Sequence, residues 1–198
     1  KVPVVMEIYR KVENGELNLE QKVFIEEKDI DTGFGDLGKK GVGASLTLRE
    51  AIKLALIEYD NTAKNLLQKQ FSEGDLENVY NSLDIPIDEE SDGPVVTPKN
   101  YSSVLRSLYL SSFLNKEHSS EILEILTRTV FTDKLPAGID DDIKVAHKIG
   151  VYTAEETGSE PIYSDCGIVY VPKRPYILCI MTKSDESTAQ NNIESISK

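Results

Sequence analysis

Two short apolar runs near the C-terminus, Tyr163 to Val171 and Tyr176 to Thr182, set the terms for the whole chain. Only Pro172-Lys173-Arg174-Pro175 separates them, a connection short enough for an antiparallel hairpin. Successive side chains of a strand point to opposite faces. Here both sets are apolar: Ile168 and Tyr170 alternate with Val169 and Val171, and Tyr176, Leu178 and Ile180 alternate with Ile177, Cys179 and Met181. A hairpin of this kind must be covered on both faces. Ile143 to Tyr152 reads as a further strand of the same sheet.

Helices have to supply the two covers, and the rest of the chain offers them. Val4, Val5, Ile8, Tyr9 and Val12 lie on one helical face of residues 2 to 13, with Glu7, Arg10, Lys11 and Glu13 opposite, which predicts an amphipathic helix stopped by Asn14-Gly15. A polar, glycine-rich stretch follows and reads as a loop with one short extended piece at Val23-Phe24-Ile25. Thr47-Leu48-Arg49-Glu50 is a capping box, in which hydroxyl and carboxylate satisfy the free N–H groups of a helix start. The helix it opens carries Leu48, Ala51, Ile52, Ala55, Leu56 and Tyr59 at helical spacing. The next run holds Ala63, Leu66, Leu67 and Phe71, with Asp60 or Asn61 as its cap. Helices are also predicted for Asp75 to Leu83, from Thr97-Pro98 through Tyr109, for Ser119 to Thr129, and for Ser187 to Lys198; an acidic loop spans Asp84 to Pro94. The sum is an α+β fold in one domain: a helical lobe over about residues 1–142, then an antiparallel sheet and terminal helix over about 143–198.

Net charge is −12, from 34 acidic and 22 basic residues. So acidic a surface repels phosphates, which argues against nucleic acid or an anionic membrane as partner. No apolar run approaches the roughly 18 residues of a membrane-spanning helix. His118 and His147 stand alone, and no Cys/His cluster has metal-ligand spacing. A hairpin turn centred at Lys173-Arg174 would set Cys166 near Met181 and Cys179 near Ile168. The sulfurs would then sit diagonally, roughly 7–8 Å apart at Cα, so two free buried thiols are expected.

Three pieces of the chain carry groups that no helix or strand face needs: Lys1, Tyr59-Asp60-Asn61, and His147-Lys148-Ile149-Gly150. Two amines, a phenol and a carboxamide in one cleft suit acyl transfer, where a base takes a proton from a hydroxyl nucleophile and cations hold a substrate carboxylate. Each piece also has a plainer reading on its own. A first-residue lysine is solvated, an Asp-Asn pair between helices is a cap, and a lysine two residues before a strand glycine is an edge charge. The two histidines read as ordinary surface or hydrogen-bonded residues, and Glu89, Glu90 and Asp92 as a solvated loop.

Order and spacing add a family resemblance. Lys1-Val2-Pro3-Val4 looks like the sequence following a Ser-x-x-Lys motif, with Lys1 as its lysine. Tyr59-Asp60-Asn61-Thr62-Ala63-Lys64-Asn65-Leu66-Leu67 is close to Ser-Asp-Asn-Thr-Ala-x-Asn-Leu-Leu, and His147-Lys148-Ile149-Gly150 sits where Lys-Thr-Gly belongs. Asp165-Cys166-Gly167-Ile168-Val169 and Tyr176-Ile177-Leu178 resemble the last two strands. In this order the pieces resemble the class A β-lactamase-like branch of the penicillin-recognising serine hydrolases. The resemblance implies a β-lactamase/transpeptidase-like fold with its N-terminal part upstream of Lys1, no cofactor or metal, and an extracytoplasmic location. Its implied substrates are β-lactams or D-Ala-D-Ala-type peptides handled through an acyl-enzyme. Lys1 would activate the nucleophile, Tyr59 would pass a proton to the leaving nitrogen, and Lys148 would hold the substrate carboxylate. Asn61 would bind the side-chain amide, and Gly150 and Val151 would line the substrate, the Val151 N–H forming half of an oxyanion hole.

Four departures qualify what the resemblance implies. The nucleophilic serine would stand three residues ahead of Lys1, before the first residue of this sequence. Tyr59 replaces a serine, a version found in other branches, where lysines beside the phenol could lower its pKa. Ile149 replaces threonine and brings no hydroxyl. The loop ahead of Thr97, Asp84 to Pro94, looks shorter than in class A enzymes and holds no Glu-x-x-x-Asn, so the carboxylate that would hydrolyse the acyl-enzyme has no clear counterpart; Glu89, Glu90 and Asp92 are nearest. Slow deacylation is therefore expected. The alternative is a non-catalytic β-lactamase-like module used for binding or scaffolding.

Overall fold

The computed structural model describes residues 1–88 and 93–198. The first helix, α1 (Val2–Glu13), starts on a proline in its first turn, where a missing N–H is harmless. Its Val4, Val5, Ile8 and Tyr9 are buried as the periodicity predicts, but so are Glu7 and Lys11. The helix is central rather than amphipathic, because both polar side chains are paired: Glu7 with Arg10 at 2.9 Å, and Lys11 with Asp75 at 2.8 Å and Glu16 at 3.1 Å.

Within the glycine-rich stretch, β1 (Lys22–Phe24) pairs antiparallel with β2 (Ser45–Thr47), setting Val23 opposite Leu46. The second strand and two 3₁₀ turns, Glu27–Asp29 and Leu37–Lys40, depart from the predicted loop with one extended piece. Each is three or four residues long, too short to show a period. The capping box at Thr47 is present: its hydroxyl accepts from the Glu50 N–H at 3.2 Å, and the Glu50 carboxylate accepts from the Thr47 N–H at 2.7 Å. It opens α2 (Leu48–Ile57), and α3 (Asn61–Gln68) follows with Asp60 as its cap. The chain continues through α4 (Asp75–Ser82), the short ribbon of β3 (Ile87–Asp88) and β4 (Gly93–Pro94), α5 (Pro98–Tyr109) and α6 (Lys116–Leu126). That last helix begins three residues before its predicted start, because the Asn115 side chain accepts the His118 N–H and caps it.

Three strands, β5 (Val145–Tyr152), β6 (Ile162–Val169) and β7 (Tyr176–Lys183), form an antiparallel sheet in that order, with a one-turn helix, α7 (Ala154–Thr157), between the first two. One face sets Ala146, Cys166 and Ile168 against the core of the helical lobe, with α5 and α6 packed on the sheet. The other face sets Val145, Val169 and Ile180 against Leu135 and Ile193, the latter from α8 (Glu186–Ser197). Both faces of the hairpin are thus covered.

The expected register is corrected by two residues. Cys166 lies directly opposite Cys179, and the two form a disulfide rather than free thiols. The turn runs from Val171 to Arg174, whose N–H donates to the Val171 carbonyl at 3.1 Å. It places Pro172 at the first central position and Lys173 at the second with φ +67°, a type II arrangement that moves the centre one residue back. No helix among the described residues is long and apolar enough to cross a membrane.

Candidate active site

A cleft of about 620 Å³ opens where the start of α1, the junction between α2 and α3, and the strand β5 meet. Lys1, Tyr59, Asn61, Lys148, Gly150 and Val151 all line it, so the three separated motifs converge.

The junction is held by a loop that the sequence reading did not single out. Asp60 is buried, and its two oxygens accept the Ala63 N–H at 2.7 Å and the Leu37 N–H at 2.8 Å. The Asn61 N–H donates to the Phe34 carbonyl at 3.0 Å, and the Asp31 N–H donates to the Thr62 hydroxyl at 3.0 Å. Gly35 lies so close to Asp60 that any Cβ would overlap it, and its φ of +81° suits glycine. Tyr59 itself has φ +61°, in the left-handed region that a bulky residue seldom adopts. Phe34 and Phe131 hold its ring edge-on, with centroids at 4.9 Å and 6.2 Å.

The Lys1 Nζ sits 3.3 Å from the centroid of the Tyr59 ring and the Lys148 Nζ 3.9 Å from it. Lys1 donates to Asn61 Oδ1 at 2.6 Å. Lys148 is 4% exposed, and its Nζ has no hydrogen-bond partner among the described residues. Burial, with Lys64 nearby, draws the Lys1 amine down to about 7, against the pull of Asp31 and Asp60. Burial and then the Lys1 charge hold Lys148 well below the usual lysine range, against the pull of Asp165. Removing an amine from water favours its neutral form, which is what a general base needs near neutral pH.

Tyr59 goes the other way. Burial raises its pKa, against the effect of the Val151 N–H, which donates to the phenol oxygen at 3.4 Å. The expectation that neighbouring lysines lower it is corrected: lysines that are themselves driven neutral give little help to a phenolate. Tyr59 is a proton-bearing phenol at neutral pH.

Other expected residues fall as follows. Gly150 faces the side chain of Ser164, whose hydroxyl a Cβ would meet. Ile149 lines the cleft and is 5% exposed. His147, beside Lys148 in sequence, is buried and hydrogen-bonded to Asp165 at 2.8 Å, and Asp165 also accepts the Leu135 N–H at 3.0 Å. His118 is bonded to Glu13 at 2.8 Å. Glu89, Glu90 and Asp92 lie outside the described residues. Among the described residues, the carboxylates that line the cleft are Asp31, Glu155 and Glu156, and Tyr80, Ile85 and Tyr101 give it an apolar wall. Among the described residues no group of carboxylates, histidines and cysteines could hold a metal ion.

The fold is that of the β-lactamase-like hydrolases. The chain matches the beta-lactamase enzyme family over residues 1–198 and belongs to it. Among solved structures it resembles PBP-A, at 18% identity and a TM-score of 0.84, covering 99% of this chain and 76% of that one. A β-lactamase from Sphaerobacter thermophilus aligns with a TM-score of 0.86 at 21% identity, over 99% and 78% of the two chains. A variant of PBP-A, solved as an acyl-enzyme complex with penicillin G, aligns with a TM-score of 0.85 at 19% identity, over 99% and 76%. At such identities the likeness is one of fold.

Proposed function

We propose that this protein is a serine acyl hydrolase that forms an acyl-enzyme with β-lactams or D-Ala-D-Ala-type peptides and releases it slowly. The reading is carried by one observation: a buried amine, Lys148, and a half-buried one, Lys1, lie against the ring of one half-buried phenol, with a carboxamide on the Lys1 amine. The nucleophile it requires is a serine three residues ahead of Lys1 in the encoded protein. Neutral Lys1 takes the proton of that serine as its oxygen attacks the lactam carbonyl carbon. The carbonyl electrons move onto oxygen and return as the C–N bond breaks. Tyr59 gives its proton to the departing nitrogen and recovers one from the protonated Lys1, so the site ends acylated and otherwise unchanged.

Binding groups have matching roles. The Lys148 Nζ, buried without a partner among the described residues, supplies the charge a substrate carboxylate needs and takes up a proton as the carboxylate arrives. The Val151 N–H, which now meets the Tyr59 hydroxyl, turns to the carbonyl oxygen of the bound substrate. Asn61, whose Nδ2 spends one hydrogen on Asp31, keeps the other amide N–H to donate to the carbonyl of the substrate's side-chain amide. Slow deacylation follows from the surroundings of the acyl group. Asp31 is engaged with Asn61 and Gly33, the Glu156 carboxylate accepts the Thr153 N–H at 2.6 Å, Glu155 is exposed to solvent, and an apolar wall lies across the cleft. The disulfide suits an oxidising compartment and supports an extracytoplasmic location.

Rapid mixing of the complete protein with a chromogenic cephalosporin tests this reading. A burst of one equivalent followed by a much slower steady rate is expected. Steady turnover without a burst contradicts slow deacylation, and no colour change at all is the behaviour of a non-catalytic binding module.

A further inference from the structure

A carboxamide presents an oxygen on one side and an NH₂ on the other, and a half-turn about its terminal bond exchanges them. What Asn61 shows to Lys1 is therefore decided by what grips its far side. That partner is Asp31: the Asn61 Nδ2 donates to Asp31 Oδ1 at 3.1 Å. The same oxygen accepts the Gly33 N–H at 2.8 Å. The main chain of Asp31 is pinned in turn, its N–H donating to the Thr62 hydroxyl at 3.0 Å while its carbonyl accepts from that hydroxyl at 3.1 Å. Asp31 is thus fixed by its own loop and by α3, independently of Lys1.

An ionised carboxylate only accepts hydrogen bonds. The Gly33 N–H, then Asn61 and Lys64, hold the Asp31 pKa below the usual carboxylate value, so it stays ionised at neutral pH. Were Asn61 turned over, its Oδ1 would face this carboxylate, acceptor against acceptor, and its NH₂ would face the Lys1 amine. We propose that Asp31 is a positioning residue for acyl transfer, fixing the Asn61 carboxamide with Oδ1 toward Lys1 so that the lysine is held at the Tyr59 ring. The proposal rests on the acyl-transfer reading above, and Asp31 acts through Asn61 without touching the reacting atoms.

The test is the second-order rate of acylation by a penicillin across pH, in the complete protein and its Asp31→Ala and Asp31→Asn variants. An asparagine oxygen at this position still accepts from both Gly33 and Asn61, whereas alanine accepts from neither. Alanine should slow acylation about tenfold, the equivalent of one lost hydrogen bond, and asparagine should recover most of that loss. In both variants the rise of rate with pH should move to lower pH, because a negative charge that favours protonated Lys1 has gone. A purely structural role would lower the fraction of protein acylated without moving that midpoint. Alanine acylating at the parent rate, asparagine as slow as alanine, or an unmoved midpoint overturns the proposal while leaving the acyl-transfer reading intact. Failure of the parent protein to acylate overturns both.

Discussion

Lys148 shows how a site of this kind works against the stability of its own fold. Its amine is buried and unpartnered among the described residues, an arrangement that costs about 1–3 kcal/mol. Replacing it with methionine, of similar length and without charge, should stabilise the protein at pH 7 by about that amount while removing substrate binding. The sign with pH is fixed by the direction of the shift. Lys148 is depressed in the folded state, so between its folded pKa and 10.5 the unfolded chain binds more protons and the native state gains as pH rises. The advantage of Lys148→Met should therefore shrink toward pH 10.5, which thermal melts at several pH values would read directly. Equal melting temperatures of parent and variant at pH 7 would show that the buried amine carries no such penalty. At this scale Lys1, Tyr59, Asn61 and Lys148 were legible in the sequence because short motifs hold them in a fixed order. Asp31 was not, since it meets Asn61 across thirty residues that have no period of their own.

Element boundaries turn on side-chain caps. Thr47 and Thr97 announce α2 and α5 in the sequence because a hydroxyl stands just before an apolar period. Asn115 does the same for α6, but the apolar residues that mark this helix begin only at Ile122, and the reading started it at Ser119. The central cap is Asp60, which does two jobs: it starts α3 and ties in the loop that carries Asp31, Phe34 and Gly35. Asp60→Ala should therefore cost about 2–4 kcal/mol, more than the roughly 1 kcal/mol of an ordinary cap. Denaturant unfolding of this variant beside Thr47→Ala makes the comparison, and equal losses would show that the Leu37 bond contributes nothing.

On the scale of the molecule, the doubly apolar hairpin dictated the layout, with α5 and α6 on one face of the sheet and α8 on the other. Its register was less legible. Four residues between the strands admit more than one turn, and the choice rests on whether Lys173 adopts a left-handed conformation, which its side chain does not announce. That choice decides whether Cys166 meets Cys179. The same layout makes β5 an edge strand of the sheet and brings Lys148 across from Lys1 and Tyr59, so covering the hairpin also forms the cleft. The central claim is that this cleft transfers an acyl group from a β-lactam to a serine three residues ahead of Lys1. Intact mass spectrometry of the complete protein after incubation with a penicillin tests it most directly. One covalent adduct per chain, lost when that serine is replaced by alanine, is the predicted result. No adduct with any of several β-lactams, or an adduct that survives the replacement, would contradict it.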